Sequence, residues 1–155
     1  MVSCKLSNNE KSTFKWDDTS FTIGARRTIG VWWDINNACT MGPSYGVVCD
    51  TVVRFMKQNP ELKIGVYNYV SPEGSYQLNK RISQVRAQSV VKYIISQGID
   101  SARIIPRGRG ASQPLPGCDA ASISNMKSKE EKDAACLKDT HTEVVILATD
   151  YKASK

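Results

Sequence analysis

The chain is poor in the side chains that most catalytic chemistry requires. It has one histidine, His141, and none of its five cysteines stands in a C-x-x-C pair, which argues against a zinc framework. G-x-S-x-G, H-E-x-x-H and the phosphate-cradling glycine loop are all missing. Gly108-Arg-Gly110 follows a strand pattern but lacks the further glycine and the helix that a nucleotide site needs. No acid, base, nucleophile and metal set converges, so the chain reads as non-catalytic and without a cofactor. Nor is any apolar run long enough to span a bilayer as a helix, and the first residues lack the apolar core of an export signal. The net charge of +6 contains no run of five or six like charges. Its basic residues are not interleaved with aromatics, which argues against nucleic acid and suits a smaller anionic partner.

What remains is a chain of 155 residues, 41% hydrophobic, enough for one core. Residues 1–20 are polar and without periodicity, and read as a linker or N-terminal extension; residues 21–155 form the domain. Ile29, Val31, Trp33 and Ile35 alternate as a half-buried first strand. Ser44 suits a helix N-cap, and Tyr45, Val48, Val52 and Phe55/Met56 make a helical stripe that stops before Pro60. Leu62, Ile64 and Val66 alternate as a second strand. A long helix follows from Tyr76 to Gln97, closed by Gly98. Ala102 to Arg107 reads as a short third strand, and His141 to Thr149 as the last. Between those two lies an insertion at about 111–139, rich in Ser, Lys, Asp and Glu. The order β-α-β-α-β-β predicts an α/β (α+β) two-layer sandwich, helices packed on one side of a mixed sheet.

The most informative stretch is Ser71-Pro-Glu-Gly-Ser-Tyr-Gln-Leu-Asn-Lys-Arg-Ile-Ser-Gln-Val-Arg-Ala87, a tight turn running into a helix. Leu78, Ile82, Val85, Val90, Val91, Ile94 and Ile95 recur at helical spacing and predict its apolar face. Asn79, Ser83 and Arg86 form a second stripe beside it, at intervals of four and three. A guanidinium at the rim of an apolar face, with amide and hydroxyl neighbours, can grip a carboxylate bidentately. The same arrangement also describes a surface arginine bridging to a nearby acid.

The Gly74, Asn79, Ser83, Arg86-Ala87 spacing resembles the signature of the OmpA C-terminal-like, peptidoglycan-binding family: a G-H-T-D-x-x-G turn, then N-x-x-L-S-x-x-R-A on the following helix. Val31-Trp-Trp-Asp-Ile-Asn36, Pro60-Glu-Leu-Lys-Ile-Gly-Val66, Arg107-Gly-Arg-Gly-Ala-Ser-Gln-Pro114 and Thr142-Glu-Val-Val-Ile146 resemble further segments of that family. The resemblance implies a periplasmic domain associated with the outer membrane, binding the diaminopimelate-containing stem peptide of peptidoglycan. The ligand set carried over is Arg86, Asn79 and Asn36 with the turn residues Ser71, Glu73 and Gly74. Ser71 stands where the family carries an aspartate, so the ligand's ammonium loses its anionic partner; Glu73 is the nearest replacement. The Ser-Pro-Glu-Gly form of the turn looks like a variant found in Bacteroidetes-type members. The other expectation is a fold that has lost this ligand and binds envelope proteins instead.

The resemblance also implies a disulfide between Cys118 and Cys136, because some family members carry one in this region. Closing that loop would stabilise the fold by roughly 3 kcal/mol and would place the domain in an oxidising compartment. Cys39 and Cys49 flank the start of the first helix, either as a second bridge or as buried thiols; Cys4 is the odd one out.

Overall fold

In the computed structural model, residues 13–31, 45–70, 75–111 and 141–153 are described. Their elements are β1 (Arg26–Ile29), α1 (Tyr45–Gln58), β2 (Lys63–Tyr69), α2 (Tyr76–Ser96), β3 (Ile104–Gly110) and β4 (His141–Ala148). A 3-10 turn at Ser101–Arg103 leads into β3. The four strands form one sheet in the order β1-β4-β2-β3. Among these strands only the β2–β3 pair is parallel; β4 runs antiparallel to both β1 and β2, and Thr13 adds an isolated parallel bridge to Arg26. The mixed α/β two-layer architecture expected from the sequence is the one observed.

Alternation along the central strands explains the layering. Ile64 and Val66 of β2 stand in register with Ile146 and Val144 of β4. They bury against Cys49, Val52 and Met56 of α1 and Val90, Val91 and Ile94 of α2. Neighbouring residues on the other face, Arg26, Tyr67, Tyr69, His141 and Glu143, are polar or aromatic. They link to one another: Arg26 Nη1 donates to Tyr69 Oη and to Glu143 Oε2, both at 2.9 Å. The Tyr69 ring stacks on His141 at 4.6 Å.

Three boundaries differ from the expected ones, each for a visible reason. The first strand lies earlier, at Arg26–Ile29, because Arg26 and Arg27 stand opposite Val145 and Val144 and the Arg26–Glu143 pair fixes that register. Of the expected strand, Val31 lies outside β1, and the part from Trp32 onward falls outside the described residues. The second strand runs on to Tyr69, where Asn68 Nδ2 donates to Thr142 Oγ1 at 2.8 Å and ties the ends of β2 and β4. The third strand is displaced toward Gly110 because Ser101–Arg103 coils, capped by Asp100, whose carboxylate accepts from Ala102 N–H at 2.9 Å. Phe14, in the segment read as an extension, belongs to the core; it stacks on Phe55 at 5.3 Å, with Trp16 and Phe21 edge-on to the same ring.

Arg103 carries a structural duty that the sequence does not advertise. It is 7% exposed; its Nε donates to Leu62 O and its Nη2 to Met56 O and Asn59 O. One cation thus serves carbonyls in and just beyond the last turn of α1, where the helix dipole is negative. Burial lowers its pKa from the ordinary arginine value, and the three carbonyl partners compensate the lost hydration.

Cys49 takes the second of the two alternatives left open for it, a buried thiol. Its thiol is free and wholly buried in the α1 face of the core, so a Cys39–Cys49 disulfide is not formed. Position 49 lies one turn before Val52 and Val53 on the inward stripe, where a small apolar side chain is needed. The Cys118–Cys136 pair and Cys4 lie outside the described residues. Burial, assisted by neighbouring Asp50, pushes the Cys49 thiol up to about 11, so the reactive thiolate is scarce at neutral pH. Alkylation followed by peptide mapping is expected to leave Cys49 unmodified in the native protein and to modify it fully in denaturant. Rapid native labelling would contradict this packing.

Candidate functional site

Of the six ligand-binding residues expected, two are described. Asn79 and Arg86 both lie on α2, seven residues and so about 10 Å of helix rise apart. Asn36, Ser71, Glu73 and Gly74 lie outside the described residues. Ser75 opens the helix as its N-cap: its Oγ accepts from Leu78 N–H at 3.2 Å, satisfying one of the four donors that a helix start leaves open.

The two stripes of α2 exchange roles over its first half. Leu78, expected in the apolar face, is 49% exposed, and Tyr76 is 77% exposed. Asn79 at 7% and Ser83 at 0% are the buried ones, followed by Ala87, Val90, Val91 and Ile94. Asn79 and Ser83 are therefore not rim residues. Arg86, between Ser83 and Ala87, is half-buried and engaged within the fold.

The cause is the closeness of β3. A Cβ added to Gly108 would sit 2.2 Å from Gln84 N and 2.7 Å from Ser83 Oγ, far inside contact distance. Gly110 adopts φ +56°, which favours glycine, with Lys80 Cα 3.5 Å from where its Cβ would be. Only small side chains fit between the two backbones, which is why serine and alanine occupy the inward positions of α2 here. The approach also solves a problem at the sheet boundary. β3 is an edge strand, whose outward N–H groups need partners. Gly110 N–H donates to Ser83 Oγ at 2.8 Å and Gly108 N–H to Gln84 Oε1 at 2.7 Å. Ser83 Oγ in turn donates to Lys80 O at 3.0 Å.

Two side-chain bonds and two glycines therefore dock the N-terminal half of α2 onto the end of β3. The Asn-x-x-x-Ser-x-x-Arg-Ala and Gly-x-Gly signals of the sequence are two halves of one contact. Spacing on α2 marked Ser83 but not its partner strand, and Gln84 left no recognisable signal. Among the described residues no group of His, Cys, Asp and Glu could hold a metal ion, and no helix is long and apolar enough to cross a membrane.

Two helices on one side of a four-stranded mixed sheet make this a small α/β domain. The model of the OmpA family matches residues 36–127, and the chain belongs to that family. It is 32% identical over 96 residues to the probable lipoprotein YiaD of Escherichia coli K12, covering 62% of this chain and 42% of that protein. It is 41% identical over 64 residues to outer membrane protein A of Shimwellia blattae, covering 41% of this chain and 25% of that one. The chain thus spans less than half the length of either relative. Among solved structures, the OmpA-like domain of FopA1 from Francisella tularensis superposes with TM-score 0.57 at 20% identity, over 83% of this chain and 75% of that one. The peptidoglycan-associated lipoprotein from Burkholderia pseudomallei gives 0.55 at 14% identity, over 78% and 88%. Both bear on the fold.

Two expectations test this geometry. Gly108→Ala drives a methyl into the α2 backbone, which cannot yield as a side-chain tip can. Chemical denaturation is expected to show a loss of about 3 kcal/mol or more, and an unchanged midpoint would contradict the close approach. Glu143 supplies the second. Burial pushes its carboxyl up, but bonds from His141 and Arg26 prevail and hold it at about 2, below the ordinary 4.5. A depressed folded-state value means stability present above about 4.5 and lost as pH falls toward about 2. Glu143→Gln is expected to cost about 1–3 kcal/mol at neutral pH and to flatten the stability profile across that window. A variant with the same acid profile as wild type would contradict the pairing.

Proposed function

We propose that the protein is a non-catalytic periplasmic domain that binds the diaminopimelate-containing stem peptide of peptidoglycan and anchors an outer-membrane or envelope assembly to the cell wall. The observation that carries this reading is the clamp between α2 and β3, which fixes against the sheet the stretch of helix that carries Arg86. Membership of the OmpA family supports it, as does the likeness to a protein whose name states association with peptidoglycan.

In this reading Arg86 receives a ligand carboxylate through its planar donor fork, with Asn79 two turns earlier on the same helix. The first turn of α2 contributes the positive end of its dipole and contains no acidic residue to oppose an anion. Asn36 and the Ser71–Gly74 turn complete the ligand set. Serine at 71 leaves the ligand's ammonium without a full counter-charge, worth roughly 1.5–3 kcal/mol, or about one to two orders of magnitude in affinity. Binding is therefore weaker than in a member that carries aspartate there. The same serine favours the second reading: a fold relieved of the stem peptide that docks envelope proteins.

Co-sedimentation with purified sacculi separates the two. Wild type is expected in the pellet, with Arg86→Ala reduced about tenfold or more and both proteins equally folded by circular dichroism. Equal background retention of the two would reject stem-peptide binding and leave the protein-docking reading.

A further inference from the structure

A groove remote from α2 has no part in the reading above. It lies between residues 15–17 and the outward face of α1, encloses about 480 Å³, and is lined by Lys15, Trp16, Asp17, Arg27, Thr51 and Arg54 among others. That volume is within the range of ordinary ligand sites. Three cations face one carboxylate there. Arg54 stands one turn beyond Thr51 on α1, and both Lys15 and Arg54 are exposed. Neither forms a salt bridge among the described residues. Arg27 is held in place: its guanidinium sits over the Trp16 ring at 5.0 Å and its Nη1 donates to Phe14 O at 3.1 Å. A cation fixed by one bond and one ring retains further donors for a ligand.

Two more depressions share Arg27. One, of about 450 Å³, runs along β1 past Thr13, Lys15, Thr28 and the Arg26–Glu143 pair, whose charges offset each other. The other, of about 230 Å³, passes Trp16 to reach Ile29, Val47 and Val48, where Val47 is 77% exposed. The three make a continuous track beside an edge strand, cationic in the middle and apolar at the α1 end. Such a track fits an extended chain better than a compact ion.

We propose that this track is a second recognition site, taking an acidic, extended protein segment. Its carboxylates meet Lys15, Arg27 and Arg54, and an apolar side chain lies against Val47 and Val48. Charge complementarity selects the occupant. A glycan is disfavoured because Arg27 already covers the Trp16 ring where a sugar would stack.

The probe is a fluorescein-labelled hexapeptide alternating aspartate and leucine, titrated by anisotropy into the intact chain. Matched lysine–leucine peptide and phosphatidylglycerol vesicles form parallel arms. Saturable binding of the acidic peptide alone is expected, weakening with salt and falling about tenfold in Arg54→Glu. Lys15→Glu, a second exposed position, is expected to act in the same direction, and sacculus retention is expected to be unchanged in both. Amide shifts are expected near Arg27 and Arg54. Equal affinity of wild type and both variants, binding to vesicles only, or shifts confined to the start of α2 would each overturn the proposal. Because retention on sacculi is read separately, failure here is distinct from failure of the stem-peptide reading.

Discussion

The approach of α2 to the end of β3 governs much else in this domain. With Gln84 N 2.2 Å from where a Cβ on Gly108 would lie, residue size in both elements is dictated at once. Position 108 must be glycine, and position 83 must be small while still offering an oxygen to the Gly110 N–H. The bond from Gly108 to Gln84 then closes the open edge of the sheet. Helix register and protection of the strand edge thus follow from one steric condition. A side chain that must meet a ligand in one geometry benefits from that rigidity, because ordering it on binding would otherwise cost conformational entropy.

The two faces of the sheet use different physics. Toward the helices, aliphatic residues of β2 and β4 bury in register and supply the hydrophobic driving force. On the other face, Arg26, Tyr67, Tyr69, His141 and Glu143 form a linked polar network. Arg26 and Arg109 flank the Tyr67 ring at 5.4 and 5.9 Å. Burial, with Glu143 close by, pushes the Tyr69 hydroxyl above its ordinary range despite its Arg26 partner. This face is therefore acid-sensitive through Glu143, whereas the helix face is not. Arg103 adds a third device by serving three carbonyls around the end of α1.

Much of the fold was legible in the sequence because its signals are local. Pro60 and Gly98 bracket helix ends, Ile64 and Val66 alternate, and the helix from Tyr76 shows itself by spacing. The β1 register was not legible, since it depends on Arg26 meeting Glu143 from 117 residues away. Burial along α2 was misjudged for a related reason. Hydrophobicity placed Leu78 inward and Asn79 at the rim, but close contact with a glycine strand rewards small size and hydrogen bonding over apolarity. Phe14 escaped notice because it and Trp16, two aromatics in a polar stretch, are too few to set a periodicity. At the site, Arg86 and Asn79 were picked out by spacing on one helix, and the same spacing marked Ser83 without disclosing that Gly110 needed its oxygen. The groove around Arg27 left no sequence signal, because Lys15, Arg27 and Arg54 converge only through the tertiary fold.

The central claim is that α2 is pinned to β3 through Ser83 and Gln84. Native-state hydrogen exchange at the Gly108 and Gly110 amides reads this most directly. The account predicts that both exchange only through global unfolding, and that Ser83→Ala opens Gly110 to local exchange while the core amides of β2 and β4 stay protected. Fast exchange of either glycine in the wild-type protein would contradict it.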